Sequence, residues 1–132
     1  KEIESLLKDK AMAAKSQLLT EITQVNGFNF LAKHLNHDAN GLKTIAFEIG
    51  KQFDDLVLIL GSDYNEKAIL TCYISKPLLE SRGLNANNII RSLGAYINGG
   101  GGGQPFFATA GGKNPKGIPE ALQNALLLIQ KV

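Results

Sequence analysis

Leu56-Val57-Leu58-Ile59-Leu60 is an unbroken apolar run, entered from Asp54-Asp55 and left through Gly61-Ser62-Asp63. Five branched aliphatic residues without polar alternation mark a strand covered on both faces. Such a strand needs neighbours on either side and helices above and below. Just downstream, Gly61 to Glu66 reads as a loop, and Lys67 to Ser75 carries Ala68, Ile69, Leu70, Cys72, Tyr73 and Ile74. The two segments therefore form a hairpin-like pair of central strands. Upstream, Leu42, Ile45, Ala46 and Ile49, with Phe53 one turn on, have helical spacing, and Asp38 or Asn40 is placed to cap that helix. Phe28, Phe30, Ala32 and His34 alternate with other residues as a strand does. Further on, Ile89, Ile90, Leu93 and Ile97 mark a helix that Asn85 or Asn87 can cap. Pro105 to Ala110 reads as a short strand. The last segment is a helix with Pro119 near its start and an apolar face of Leu122, Ala125, Leu126 and Ile129. The fold class is α/β (α+β), a small mixed sheet flanked by helices.

Ahead of this core, Ile3, Leu7, Ala11, Ala14, Leu18, Ile22 and Val25 are spaced by fours and threes. The spacing predicts a long amphipathic helix over residues 2–25, closed by Asn26-Gly27. It divides the chain into a helical arm, 1–26, which is a candidate coiled coil or dimerisation element, and a globular part, 27–132. The chain opens at Lys1 inside this helical pattern, which reads as a piece of a longer protein. With one cysteine, Cys72, no disulfide can form within the chain, which suits a reducing cytoplasm. No apolar run approaches the roughly 20 residues that cross a bilayer. The net charge of +2 is too small to identify a partner unless the cations cluster.

Several chemistries fail on spacing. A phosphate-binding G-x-x-x-x-G-K-[ST] loop is excluded because Asn114 follows Gly112-Lys113 and Phe107 stands where its first glycine belongs. The dinucleotide fingerprint fails at Gln104, and its glycines precede a strand rather than opening a helix. His34 and His37 with a distant Cys72 make a poor zinc set. Cys72, inside an apolar strand, reads as a packed thiol rather than a nucleophile. No catalytic or metal-ligating residue is assigned.

The remaining signal is Gly99-Gly100-Gly101-Gly102-Gly103. Each glycine in an ordered chain costs about 0.5–1 kcal/mol relative to alanine, so the run is either a flexible loop or a surface where a partner approaches the main chain closely. Exposed N–H groups without Cβ atoms suit phosphate and sugar contacts, or the flat face of a stacked base pair. Arg91 upstream and Lys113 and Lys116 in the glycine loop downstream favour a phosphodiester partner.

Gly99 to Gly112, with Gln104-Pro105-Phe106-Phe107-Ala108-Thr109-Ala110 between two glycine clusters, resembles the C-terminal motif of alanyl-tRNA synthetases. There a glycine run is followed by Arg-Pro, two variable residues, an alanine and a second glycine cluster. The wider family is the DHH-associated domain, also found in some single-strand exonucleases and oligonucleotide phosphoesterases. Element order is similar over residues 27–132, and the motif is specific over about Asn98 to Gly112. Gln104 stands where the family's arginine is usual, so charge donation is lost there and hydrogen bonding is retained. It also stands where phosphoesterase versions place a histidine, which favours the synthetase branch.

The resemblance implies a non-catalytic, cytoplasmic tRNA-binding module that grips the outer corner of the tRNA and helps couple aminoacylation to editing. Its partners are tRNA and the rest of the parent chain, with a homodimer through the N-terminal helix as a further candidate and no membrane. ATP, magnesium and zinc belong to the rest of such a parent enzyme, which joins alanine to tRNA; this segment carries no cofactor. The alternative is the nucleic-acid-binding half of a DHH phosphoesterase. The candidate contact residues are Arg91, Asn98, Gly99, Gly100, Gly101, Gly102, Gly103, Gln104, Pro105, Gly111, Gly112, Lys113 and Lys116. Replacing Lys113 and Lys116 together by alanine is expected to weaken tRNA binding and lower its salt dependence by about one unit per lost phosphate contact. A salt titration of binding measures this; an unchanged slope removes the two lysines from the interface.

Overall fold

In the computed structural model of the chain, which describes residues 16–25, 27–64 and 66–130, the apolar run begins strand β3 (Leu56–Tyr64). Leu56 to Leu60 are each at most 1% exposed, as expected of a strand covered on both faces. The sheet has six strands: β1 (Thr23–Val25), β2 (Phe28–Leu35), β3, β4 (Lys67–Ile74), β5 (Gly99–Gln104) and β6 (Phe107–Gly112). Their spatial order is β1-β2-β3-β4-β6-β5. Only β2 and β3 run parallel; the other pairs are antiparallel. The parallel pair is joined by helix α1 (Ala39–Gly50), the crossover that parallel pairing requires. Helices α2 (Lys76–Ser81), α3 (Ala86–Gly94) and α4 (Ile118–Gln130) follow.

Alternation along the central strands divides the core between two layers. On one face Leu58 and Leu60 pack with Leu31 and with Leu42, Ile45, Ala46 and Ile49 of α1. On the other, Val57, Ile59, Leu70 and Cys72 pack with Ile90 and Leu93 of α3 and with Ala121, Ala125 and Ile129 of α4. The sequence reading of a mixed sheet flanked by helices holds. Asp38 caps α1, its Oδ1 accepting the Gly41 N–H at 2.8 Å. Asn85 caps α3, accepting from the Asn88 N–H at 3.2 Å.

Four local features differ from the sequence reading. First, the N-terminal helix does not reach Val25: residues 16–19 are helical, but Thr23–Val25 pair with Phe28–Phe30 as a hairpin. Gly27, at φ 87°, therefore serves a hairpin turn rather than a helix cap. Leu18 is buried on the α1 side of the sheet. Ile3, Leu7, Ala11 and Ala14 lie outside the described residues. Second, Gly61 to Tyr64 continue β3 instead of forming a loop. Ser62, fully buried, accepts the His37 N–H at 2.8 Å and donates to the His37 carbonyl, which ties the connection between β2 and α1 to β3. Third, α2 has no counterpart in the sequence reading, although Pro77 stands in its first turn, where proline is tolerated. Fourth, the glycine run is a strand.

Ser75, 2% exposed, closes the far end of the β3–β4 pair. Its Oγ accepts the Leu56 N–H at 3.0 Å and donates to the Phe53 carbonyl at 3.2 Å. Ser75→Ala orphans both backbone groups, and urea unfolding should register a loss of about 1–3 kcal/mol.

Candidate nucleic-acid interface

The glycine run is β5, an edge strand paired residue for residue with β6, from Gly99 opposite Gly112 to Gln104 opposite Phe107. Pro105 and Phe106 make the turn, so the second strand starts two residues later than the sequence pattern implies. The turn is held at two points: the Phe106 carbonyl accepts from Ile74 N at 2.9 Å, and the Pro105 carbonyl accepts from Ala86 N at 2.7 Å. Gly111 and Gly112, read from sequence as loop, belong to β6.

Most of these glycines are required by the fold itself. A Cβ at Gly99, Gly101 or Gly103 would overlap the β6 backbone at Gly111, Thr109 and Phe107. One at Gly112 would strike the Ile97 carbonyl, and one at Gly117 the Tyr96 carbonyl. At Gly94 it would lie 3.0 Å from the Gly99 carbonyl, so the end of α3 rests on the start of β5. At Gly102 it would lie 2.6 Å from Asn87 Oδ1, the atom that accepts the Gly103 N–H at 3.1 Å. Only Gly100 and Gly111 in the two clusters have no atom within 4 Å of such a Cβ. They are opposite one another in the β5–β6 register, and both are exposed.

Gly111 lies on an uncovered face. Ala108 and Ala110 pack with α3, so Phe107, Thr109 and Gly111 face the α1 side. There Phe47 packs on Phe107 with ring centroids 4.9 Å apart and meets Tyr73 edge-on at 5.5 Å. Cover thins beyond Phe107: Thr109 is half-buried and Gly111 exposed. The β6 strand is thus roofed at one end and bare at the other, with β5 beside it.

The candidate contacts distribute around this hairpin. Asn98, exposed and left-handed at φ 54°, and Lys113, also exposed, stand at the bare end, next to the Gly99–Gly112 pair. Gln104 and Pro105 are exposed at the opposite end, about 17 Å away for a strand of this length. Arg91 is exposed on α3, one turn after Asn87, along the outer edge of β5. Lys116 is exposed in the 3-10 turn Pro115–Gly117 leading into α4. The residues therefore flank a strip and do not converge on one small ligand.

Two further lysines border the strip. Ala68 pairs with Gly112, so Lys67 ends β4 beside the entry to Lys113. Alternation with Ile69, the partner of Gly111, turns Lys67 to the bare face. Lys43, exposed, lies one turn before Phe47 on α1, on the stripe facing β4 and β6. Neither stands out in a linear reading, because only strand register and helix phase bring them to Gly111.

Elsewhere, Cys72 is fully buried and its thiol is pushed far above the ordinary range by burial, so no thiolate forms there. Burial also raises the Tyr73 phenol. His34 is exposed and His37 buried. Among the described residues no three of His, Cys, Asp and Glu group as metal ligands, and no helix is long and apolar enough to cross a membrane.

The DHHA1 domain profile matches residues 24–131. The chain belongs to the DHHA1 domain family. It is 57% identical over 125 residues to the alanine–tRNA ligase of Christiangramia forsetii, covering 95% of this chain and 14% of that protein. With the alanine–tRNA ligase of Flavobacterium psychrophilum it shares 42% identity over 130 residues, 98% of this chain and 15% of that protein. The chain thus spans about one seventh of these ligases. Among solved structures, the C-Ala domain of Aquifex aeolicus alanyl-tRNA synthetase is similar with a TM-score of 0.74 and 25% identity, over 83% of this chain and 97% of that one. A DHH domain described as belonging to a family of ribosomal proteins shares the fold alone: TM-score 0.55 and 15% identity, over 93% of this chain and 31% of that one.

The sorting of this DHHA1 domain's glycines is measurable by urea unfolding. Gly101→Ala must displace the β6 backbone and is expected to cost about 1–3 kcal/mol or more. Gly111→Ala meets no atom and should stay within about 1 kcal/mol of the unaltered chain.

Proposed function

We propose that this DHHA1 domain is the non-catalytic tRNA-binding module of an alanyl-tRNA synthetase, gripping the outer corner of the tRNA while other parts of the enzyme aminoacylate and edit. The observation that carries the reading is the bare strip around Gly100 and Gly111, the two glycines that internal packing does not demand. An unobstructed, exposed backbone suits a flat, rigid partner such as a terminal base pair, and cations along its borders suit phosphates. High identity to alanine–tRNA ligases along 95% of the chain supports the same reading. In this arrangement Gly100 and Gly111 give the floor, Asn98 and Gln104 supply hydrogen bonds at its ends, and Lys113, Lys116 and Arg91 meet phosphates. The segment before β1 would connect the domain to the parent chain, and its apolar residues Ile3, Leu7, Ala11 and Ala14 would offer a homodimer contact. A phosphoesterase role has only likeness of fold behind it.

Gly111→Leu tests the reading directly. A side chain there projects into open space, so the fold should persist by circular dichroism. Binding to a tRNA(Ala) transcript should weaken about tenfold, equivalent to about 1.4 kcal/mol. Footprinting with the unaltered chain should protect the tRNA elbow; protection confined to the acceptor end would contradict the proposal.

A further inference from the structure

We infer that the polynucleotide lies on the α1 side of the sheet, with Lys43 of α1 and Lys67 of β4 contacting its phosphates across the bare end of β6. The inference rests on the proposed tRNA-binding role and adds to it a direction of approach and two contacts.

Three observations carry it. The first is cover. The α3–α4 side of β6 is filled, since Ala108 and Ala110 are at most 4% exposed beneath α3. The α1 side is roofed at Phe107 and open at Gly111. A partner that uses the Gly111 surface must come from the α1 side. The second is shape. The helix stands beside the open end as a wall, and its exposed Lys43 is on the stripe that faces β4 and β6. A backbone resting on Gly111 runs along that wall. The third is charge. Lys67 is one residue beyond the Ala68–Gly112 pair, so Lys67 and Lys113 end adjacent strands. Lys33 is paired with Glu21 and Lys51 with Glu48, whereas among the described residues Lys43, Lys67 and Lys113 have no such carboxylate beside them. Lysines whose charge no neighbouring carboxylate offsets, around a floor without side chains, match a phosphate chain better than an apolar or cationic partner. Glu66, exposed in the turn before Lys67, is the acidic group nearest in sequence to this end and opposes the attraction.

The experiment measures binding of the chain to a tRNA transcript across a salt series. Lys43→Ala with Lys67→Ala should weaken binding and lower the slope of log affinity against log salt by about 1.4–1.8, the loss of two phosphate contacts. Lys33→Ala with Lys51→Ala removes the same charge from paired sites and should leave the slope unchanged. Glu66→Gln should strengthen binding. Equal effects from the two double variants would reduce the matter to net charge and overturn the assignment. So would an unchanged slope for the Lys43/Lys67 variant while the unaltered chain binds, and in that case the tRNA-binding role would stand. No binding by the unaltered chain would overturn the role and the assignment together.

Discussion

The organising constraint is contact of backbone on backbone between β5 and β6, which leaves no room for a Cβ at Gly99, Gly101 or Gly103. The same closeness recurs where the chain turns back on itself. Gly94 meets the start of β5, Gly112 meets the Ile97 carbonyl, and Gly117 meets the Tyr96 carbonyl. The end of α3, the 3-10 turn Ala95–Ile97, the hairpin and the entry to α4 all meet at this corner. The Asn114 N–H donates to the Ile97 carbonyl at 2.9 Å, and its side-chain amide donates to the Tyr96 carbonyl at 3.1 Å. Ordering five consecutive glycines costs roughly 2.5–5 kcal/mol relative to alanine. The cost is offset because thinning the strand lets α3 settle on the sheet, where Ile90 and Leu93 become buried. An edge strand without side chains is an aggregation hazard, and α3 limits it by lying alongside and capping the Gly103 N–H with Asn87.

The open surface follows from how far the helices reach. At 12 residues, α1 is about 18 Å long. It starts from the Ser62 end of β3 and ends against Tyr73, whose ring a Cβ at Gly50 would enter. Its diagonal path covers β2, β3 and the lower part of β4, and Phe47 extends that cover to Phe107. Nothing among the described residues extends it to Gly111. The surface is bare because the helix ends over the other end of the strand.

The elements with strong side-chain signals were legible in the sequence: the core of β3, the alternating β2, and the three longer helices. Their periodicity is local, and burial confirmed it. The glycine strand was not legible, because β-propensity resides in side chains that glycine lacks. What makes residues 99–104 a strand is their pairing with β6. Asn26-Gly27 fits a helix cap and a hairpin turn equally well until the pairing of Thr23–Val25 decides between them. Gly61 looked like the start of a loop. It is strand because it pairs with His34 on one side and Leu70 on the other, and it is glycine because Ile118, more than fifty residues later, occupies the space its side chain would fill. Of the candidate contacts, those within the motif were found by resemblance, whereas Lys43 and Lys67 become neighbours of Gly111 only through the fold.

A glycine motif of this kind therefore contains two populations with different reasons to be glycine. Those whose Cβ would meet backbone serve stability, and an alanine there fails whatever the partner. Gly100 and Gly111 meet no atom within 4 Å of an added Cβ, so an alanine there leaves the internal packing untouched. Cations stand at both ends of the hairpin. Lys67 and Lys113 mark the bare end, and about 17 Å away along the strand the Lys76 ammonium stands 5.7 Å from the centroid of the Phe106 ring in the turn. Gln104, exposed beside that turn, adds hydrogen-bonding groups and no charge. A polyanion lying along the hairpin therefore meets a cation at either end, and what distinguishes the ends is cover: the Phe47 ring roofs Phe107, whereas nothing among the described residues roofs Gly111.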